Sequence, residues 1–413
     1  MRKLEFLFLV ILFVAVIPFN VAAADVKIEL DGYPLSSDMS PVIVNDRTLV
    51  PFRAIAEAMN VEVEWINETK TINASNATQK VVLNVGSKTA YINGTPVVLD
   101  VAPTIINNRT MIPLRFFSTA FNCEVDWEPN TRTVIIKTPP AKMKVIGYYA
   151  LGDTATSSWT NLFTVPYPET AKGNTDIVTD LALGWFSLDE NGQLLTKSRT
   201  GWQRPDGWEK VLAAANEYGL KCEMVVHMTN KDRVINALLS NQNRIDTAVR
   251  EIVKEARHYS GVNLDMEGLG LSEKGDELIK VQNSFSWFVK SLAEELHKEG
   301  KTLSLSLHAP NSSYKGYDYS TLGRYSDYII IMAYDYGPKP EPNNRVNEAI
   351  TIALQNVPHN KLILGISAPS ENPESLATKV GLAKRYNLEG IALWRLGLIT
   401  DGMWEVIKIS IIH

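Results

Sequence analysis

Tyr259-Ser260-Gly261-Val262-Asn263-Leu264-Asp265-Met266-Glu267-Gly268 is the stretch on which the fold turns. Ahead of it Ile245, Ala248, Val249, Ile252, Val253 and Ala256 recur at helical spacing, and behind it so do Leu278, Val281, Phe285, Phe288, Val289, Leu292 and Leu296. A short strand between two amphipathic helices is the unit of a parallel α/β sheet. Alternation along the strand puts Asn263, Asp265 and Glu267 on one face and Val262, Leu264 and Met266 on the other, toward the helices. Two carboxylates side by side in a buried strand oppose each other's ionisation, so one is expected to hold a proton near neutral pH. Glu267 stands at the carboxyl end of the strand, where barrel active sites open, and is the expected general acid. The competing explanation is an Asp-x-Glu that merely ends a strand and caps the next helix.

Outward from this strand, apolar runs of strand length alternate with amphipathic helices. They are 143–150, 177–186, 222–228, 262–266, 302–307, 328–332, 362–366 and 390–394. Eight such runs predict an α/β fold, a (β/α)8 TIM barrel over residues 143–413, preceded by a small α+β domain made of two internal repeats. A doubly wound sheet is the alternative, and no Gly-rich phosphate loop follows the first strand. Four strand ends carry aromatic or polar groups suited to a sugar: Tyr148 after the first, Trp185 after the second, Met332-Ala333-Tyr334-Asp335 after the sixth, and Trp394 after the eighth. An indole offers a flat apolar face to a pyranose ring. His227 and His308 also fall at strand ends, without a motif to assign them a role.

The central stretch resembles the signature of the family 18 glycoside hydrolases. That family's Asp-x-x-Asp-x-Asp-x-Glu pattern falls on Ser260, Asn263, Asp265 and Glu267, with the first two carboxylates replaced and the last two kept. Met332-Ala333-Tyr334-Asp335 is similar to the family's Met-x-Tyr-Asp motif, and the form of the central strand resembles the branch acting on bacterial peptidoglycan and spore cortex. The resemblance implies a retaining, substrate-assisted mechanism. In it Glu267 protonates the glycosidic oxygen, Asp265 orients the 2-acetamido group, Tyr334 and Asp335 hold that group, and Trp394 floors the pocket. Tyr148, Asn263, Met332 and Trp185 complete the expected substrate contacts, and no metal or cofactor is implied. Ser260 and Asn263 remove acidic groups below the site, which predicts an Asp265 less readily held protonated and an altered pH profile.

Residues 1–24, with Arg2, Lys3, an apolar run to Phe19 and Ala22-Ala23-Ala24, are expected to be a cleaved export signal, the alternative being a permanent anchor. Residues 25–138 repeat at an offset of 62: Pro41 to Arg53 matches Pro103 to Arg115, and Glu62-Val63-Glu64-Trp65 matches Glu124-Val125-Asp126-Trp127. Each copy is predicted to be a strand, an Asn-Asp or Asn-Asn turn, a second strand, a short helix and closing strands. The repeat resembles the amino-terminal domain of copper amine oxidases, which implies attachment to the cell wall or a plain stalk. It holds one cysteine and no histidine, so copper is not expected. Cys123 and Cys222 fall in different domains and are expected to be buried thiols. Residues 139–142, Pro139-Pro140-Ala141-Lys142, are expected to be a stiff linker. A net charge of −5 gives no reason for nucleic acid binding, and no later stretch is apolar enough for a membrane span.

Together these features lead to a secreted or wall-associated bacterial endo-β-N-acetylglucosaminidase cleaving the β-1,4 bonds of peptidoglycan or spore cortex. A chitinase shares the chemistry, and a non-catalytic saccharide-binding protein is the alternative from another class. The interval from Ile366 to Gly390 is too short for the inserted subdomain that chitin-processive relatives carry.

Overall fold

A computed structural model describes residues 26–44, 47–150, 156–197 and 201–413. The export-signal segment and the Asn45-Asp46 turn lie outside the described residues.

Eight parallel strands close on themselves. They are β1 (Lys144–Tyr149), β2 (Asp180–Leu188), β3 (Lys221–Thr229), β4 (Gly261–Glu267), β5 (Thr302–His308), β6 (Tyr328–Met332), β7 (Leu362–Ser367) and β8 (Gly390–Trp394). Each pairs with the next, and β1 pairs with both β2 and β8, so no barrel edge is left open. The side chains follow the two-residue alternation of the strands. Ile146, Tyr148, Ala182, Val225, Ile330, Ile363 and Ala392 fill the barrel interior, while Val262, Leu264 and Met266 join the larger core under the helices. The helix before β4, Gln242–Ala256, buries Ile245, Ala248, Val249 and Ile252, and the helix after it, Gly275–Lys298, buries Val281, Phe285, Phe288 and Leu292. Between β7 and β8 lie a short turn and one helix, Pro373–Arg385.

In the amino-terminal domain the repeat appears as structure. Strand pairs Val42–Val44 with Arg47–Pro51 and Thr104–Ile106 with Arg109–Pro113 precede helices Phe52–Ala58 and Leu114–Phe121. The equivalent strands of the two copies pair antiparallel, Val50 opposite Ile112, so both copies share one sheet and one core around Phe52, Phe117 and Phe121. The first strand, Lys27–Leu30, runs parallel to Thr133–Lys137, the last strand of the second copy. Cys123 and Cys222 are free and buried.

The linker is less independent than its composition suggests. Ala141-Lys142 pairs in parallel with Ile411-Ile412 at the carboxyl end of the chain. The domains also touch: Lys384 reaches the Thr138 carbonyl at 3.1 Å, and Arg385 donates to the carbonyls of Leu30 and Tyr33. None of the described helices is long and apolar enough to cross a membrane.

Candidate active site

The carboxyl ends of β3, β4 and β5 bring Glu267 between two imidazoles. His227 Nε2 lies 3.0 Å from Glu267 Oε1, and His308 Nε2 lies 3.6 Å from Oε2. Strand pairing explains the contact, because His227 stands directly beside Asp265 in the β3–β4 ladder. Burial pushes the Glu267 carboxyl up, but the hydrogen bond and charge of His227, with the charge of His308, outweigh it and hold Glu267 below the usual glutamate range. Burial alone would lower His227, and the hydrogen bond to Glu267 and the charges of both carboxylates carry it above its ordinary value. Asp265, only 4 % exposed, is raised by burial and then by Glu267, with His227 opposing.

The proton expected on Glu267 therefore rests elsewhere in the resting protein. Asp265 and His227 hold protons more tightly than free side chains do, and Glu267 is the ionised member. Burial is the largest cause of the raised Asp265 titration, ahead of any neighbouring charge. Asp265 Oδ1 has no hydrogen-bond partner among the described residues. A buried polar atom left unpaired is costly.

Beneath the carboxylates runs a polar chain inside the barrel. Asn263 Nδ2 donates to Ser304 Oγ at 2.8 Å, while its Oδ1 accepts from Ser306 Oγ at 2.9 Å. Ser306 Oγ shares a 2.5 Å hydrogen bond with the Tyr148 hydroxyl, and Ser304 donates to Glu223 Oε2 at 2.7 Å. Glu223, on β3, is pushed up to about 7 by burial, with the Ser304 hydrogen bond opposing. Asn263 suits this chain because its amide both donates and accepts, which an ionised carboxylate cannot do. Sequence inspection missed Glu223. Its parity with His227 on β3 was the available signal.

Tyr334 is half-buried past the end of β6, its phenol held protonated by burial and by the neighbouring Tyr148, Asp265 and Glu267. Asp335 is exposed at the rim with φ 63°, and its N–H and that of Tyr336 both donate at 3.1 Å to the buried carboxylate of Glu341. Met332 is buried and shares strand parity with the inward-facing Ile330. Trp394 stands edge-on to Tyr148 at 5.4 Å.

Trp185 is the one expected contact that the structure removes from the site. It is fully buried in the core beneath the helices, edge-on to Tyr149 at 6.2 Å. A register shift between Leu183 and Phe186 interrupts the β2–β3 ladder, and Gly184 rather than Trp185 faces the barrel mouth. The aromatic over β2 is Trp202, from the connection after that strand, which sequence inspection did not single out. Among the described residues His227, Asp265 and Glu267 are the three side chains that could share a metal ion, with ligand atoms within 4.8 Å of one another. No such group occurs among the described residues of the amino-terminal domain.

The barrel has counterparts among known proteins. Residues 144–371, more than half of the chain, match the model of glycosyl hydrolases family 18. The chain belongs to that family. Residues 29–136 match the copper amine oxidase N-terminal domain. The Bacillus subtilis (strain 168) glycosylase YvbX, itself uncharacterized, is 20 % identical over 335 residues, 63 % of this chain and 89 % of that protein. The fold is also that of the Bacillus megaterium QM B1551 spore cortex-lytic enzyme SleL, with TM-score 0.54 and 19 % identity over 71 % of this chain and 80 % of the other. The C-terminal domain of a putative chitinase from Desulfitobacterium hafniense DCB-2 superposes with TM-score 0.55 and 19 % identity over 65 % of this chain and 99 % of the other. This family 18 barrel thus has neighbours described as acting on spore cortex and as chitinases.

Proposed function

We propose that the protein is a retaining endo-β-N-acetylglucosaminidase of peptidoglycan or spore cortex, working by substrate assistance, with residues 143–413 as the catalytic unit. The observation that carries the reading is the unpartnered Oδ1 of Asp265 beside Glu267. A 2-acetamido N–H is the donor that would satisfy it, and orienting that group aims the acetamido oxygen at C1. An internal nucleophile removes much of the entropic barrier of a bimolecular attack.

In the first step the His227 proton crosses the 3.0 Å contact to Glu267 Oε1. Glu267 passes it to the glycosidic oxygen as the C1–O bond breaks. The acetamido oxygen bonds C1, giving an oxazolinium ion, while Asp265 keeps its proton, accepts the acetamido N–H at Oδ1 and holds the ring in place. Tyr334 donates to the acetamido oxygen, and Asp335 steadies the group from the rim. Water then attacks C1, Glu267 takes its proton and His227 recovers it, so the configuration is retained. Tyr148, Asn263 and Met332 shape the pocket floor, and Trp394 offers a face to the sugar.

The amino-terminal domain is assigned to wall attachment. A groove of about 780 Å³ there is lined by Trp65, Arg53 and Arg109 among others, with Glu57 and Asp38 paired to the two arginines, and offers an aromatic and polar surface to a glycan. Export is part of the same proposal, since the substrate lies outside the cell membrane.

Glu267→Gln tests the catalytic reading. Turnover of purified peptidoglycan falls by about 10²-fold or more while glycan binding persists. Glycan binding by wild type with no turnover to lose would leave a saccharide-binding protein instead.

A further inference from the structure

Three rings stand in a row across the barrel mouth. The Trp202 indole stacks on Trp394, with centroids 5.0 Å apart and planes 13° from parallel. Its own ring also stacks on His227, at 5.1 Å and 22°. Trp202 thus fills the gap between the platform for a pyranose and the histidine that holds Glu267. It packs against the inward-facing cluster of Tyr148, Ala182 and their neighbours, not against the outer core.

The seat is built for it. A Cβ on Gly184 would lie 1.7 Å from Trp202 Cζ3 and 2.1 Å from Cε3, so any larger residue would expel the ring. Gly184 does not have a positive φ, which leaves room for the indole as the reason for a glycine there. The backbone beside it is tied down: Lys197 bridges Gln203, the Arg204 N–H donates to Thr196 O at 2.9 Å, and Arg204 pairs with Glu255 at 2.7 Å.

We propose that Trp202 is a specificity-determining residue that occupies the sugar's own place on Trp394 until a glycan displaces it. The inference rests on the assignment of Trp394 as a sugar platform. A pyranose stacking on that indole and the Trp202 ring would need the same layer of space, so binding includes the loss of two stacking contacts. The cost is the same for every glycan that displaces the ring, so at a given concentration short oligomers with few contacts fall below the level of binding and long glycans with many do not. Trp202 therefore discriminates against fragments and in favour of polymer.

Two near-parallel indoles at this separation couple electronically, which gives the far-ultraviolet circular dichroism spectrum an exciton couplet. The test uses the full chain in the Glu267→Gln background, with N-acetylglucosamine trimer and hexamer as probes. The couplet is expected in this protein, absent after Trp202→Phe or Gly184→Ala, and abolished by saturating hexamer. Trp202→Ala and Gly184→Ala, which empty the seat by different routes, tighten trimer and hexamer binding by the same factor, about ten-fold. A couplet absent from the start, or one that survives saturation, overturns the proposal. Weaker trimer binding in Trp202→Ala also overturns it and makes Trp202 a platform in its own right. Failure of every variant to bind either oligomer while the couplet is present overturns the glycan-site reading beneath it, so the two failures are distinct.

Discussion

Replacing His227 with glutamine isolates the contact that sets the charge of Glu267. The amide keeps a donor near Oε1 but cannot carry a proton. At 3.0 Å, in a site where Glu267 is 31 % exposed, the present contact is a charge-assisted hydrogen bond. Such bonds contribute about 1.5–3 kcal/mol against about 0.5–1.5 for neutral ones. The difference, about 1–1.5 kcal/mol, is about one pH unit. Glu267 should therefore titrate about one unit higher in His227→Gln, and about two units higher in His227→Ala, where no donor remains. Infrared titration of the carboxyl stretch measures this, with Glu267→Gln in each background identifying the band. The sign carries into stability. Because Glu267 is lowered in the folded state, its pairing stabilises the fold above the unfolded glutamate range, and that contribution disappears as pH falls through the folded value. His227→Gln is accordingly less stable than wild type near neutrality, and the gap narrows in acid. A Glu267 midpoint that stays in place or moves down in both variants would refute the idea that His227 holds the carboxylate ionised.

Other outcomes follow from the same site. Asp265 is raised, so the stability it supports in the protonated form is lost as pH rises through its folded value; Asp265→Asn should raise thermal stability at pH 8 by about 1–3 kcal/mol while abolishing turnover. Trp394→Ala should weaken glycan binding, whereas Trp185→Phe should leave it unchanged and instead lower stability by about 1–3 kcal/mol through the packing it loses, as binding and melting measurements would show.

Much of this architecture was legible in the chain itself. All eight barrel strands were found within a few residues of their ends, because each is a short run, apolar throughout or at every second residue, buried on both faces and bounded by polar turns. The offset of 62 reappears strand by strand, Thr71–Ser75 matching Thr133–Lys137. Alternation placed Asn263, Asp265 and Glu267 on one face because β4 is regular throughout its length. On β2 the same alternation puts Trp185 with Leu181 and Leu183 in the outer core and Gly184 with Ala182 toward the interior, a signal that the placing of Trp185 at a strand end overlooked. Trp202 was missed because its neighbours, Trp394, His227 and Gly184, come from three separate strands and no local pattern joins them. The protonation order was missed for a related reason. Two adjacent carboxylates announce that one is protonated, but which one depends on a histidine 40 residues away in sequence.

The most direct test of the central claim is nuclear magnetic resonance of the first product formed from purified peptidoglycan, read for anomeric configuration and reducing sugar before mutarotation. A β-configured reducing N-acetylglucosamine, made by wild type and absent with Glu267→Gln and Asp265→Asn, is the predicted result. An α-configured first product, or equal cleavage of a glycan stripped of its acetyl groups, would contradict substrate assistance at this site.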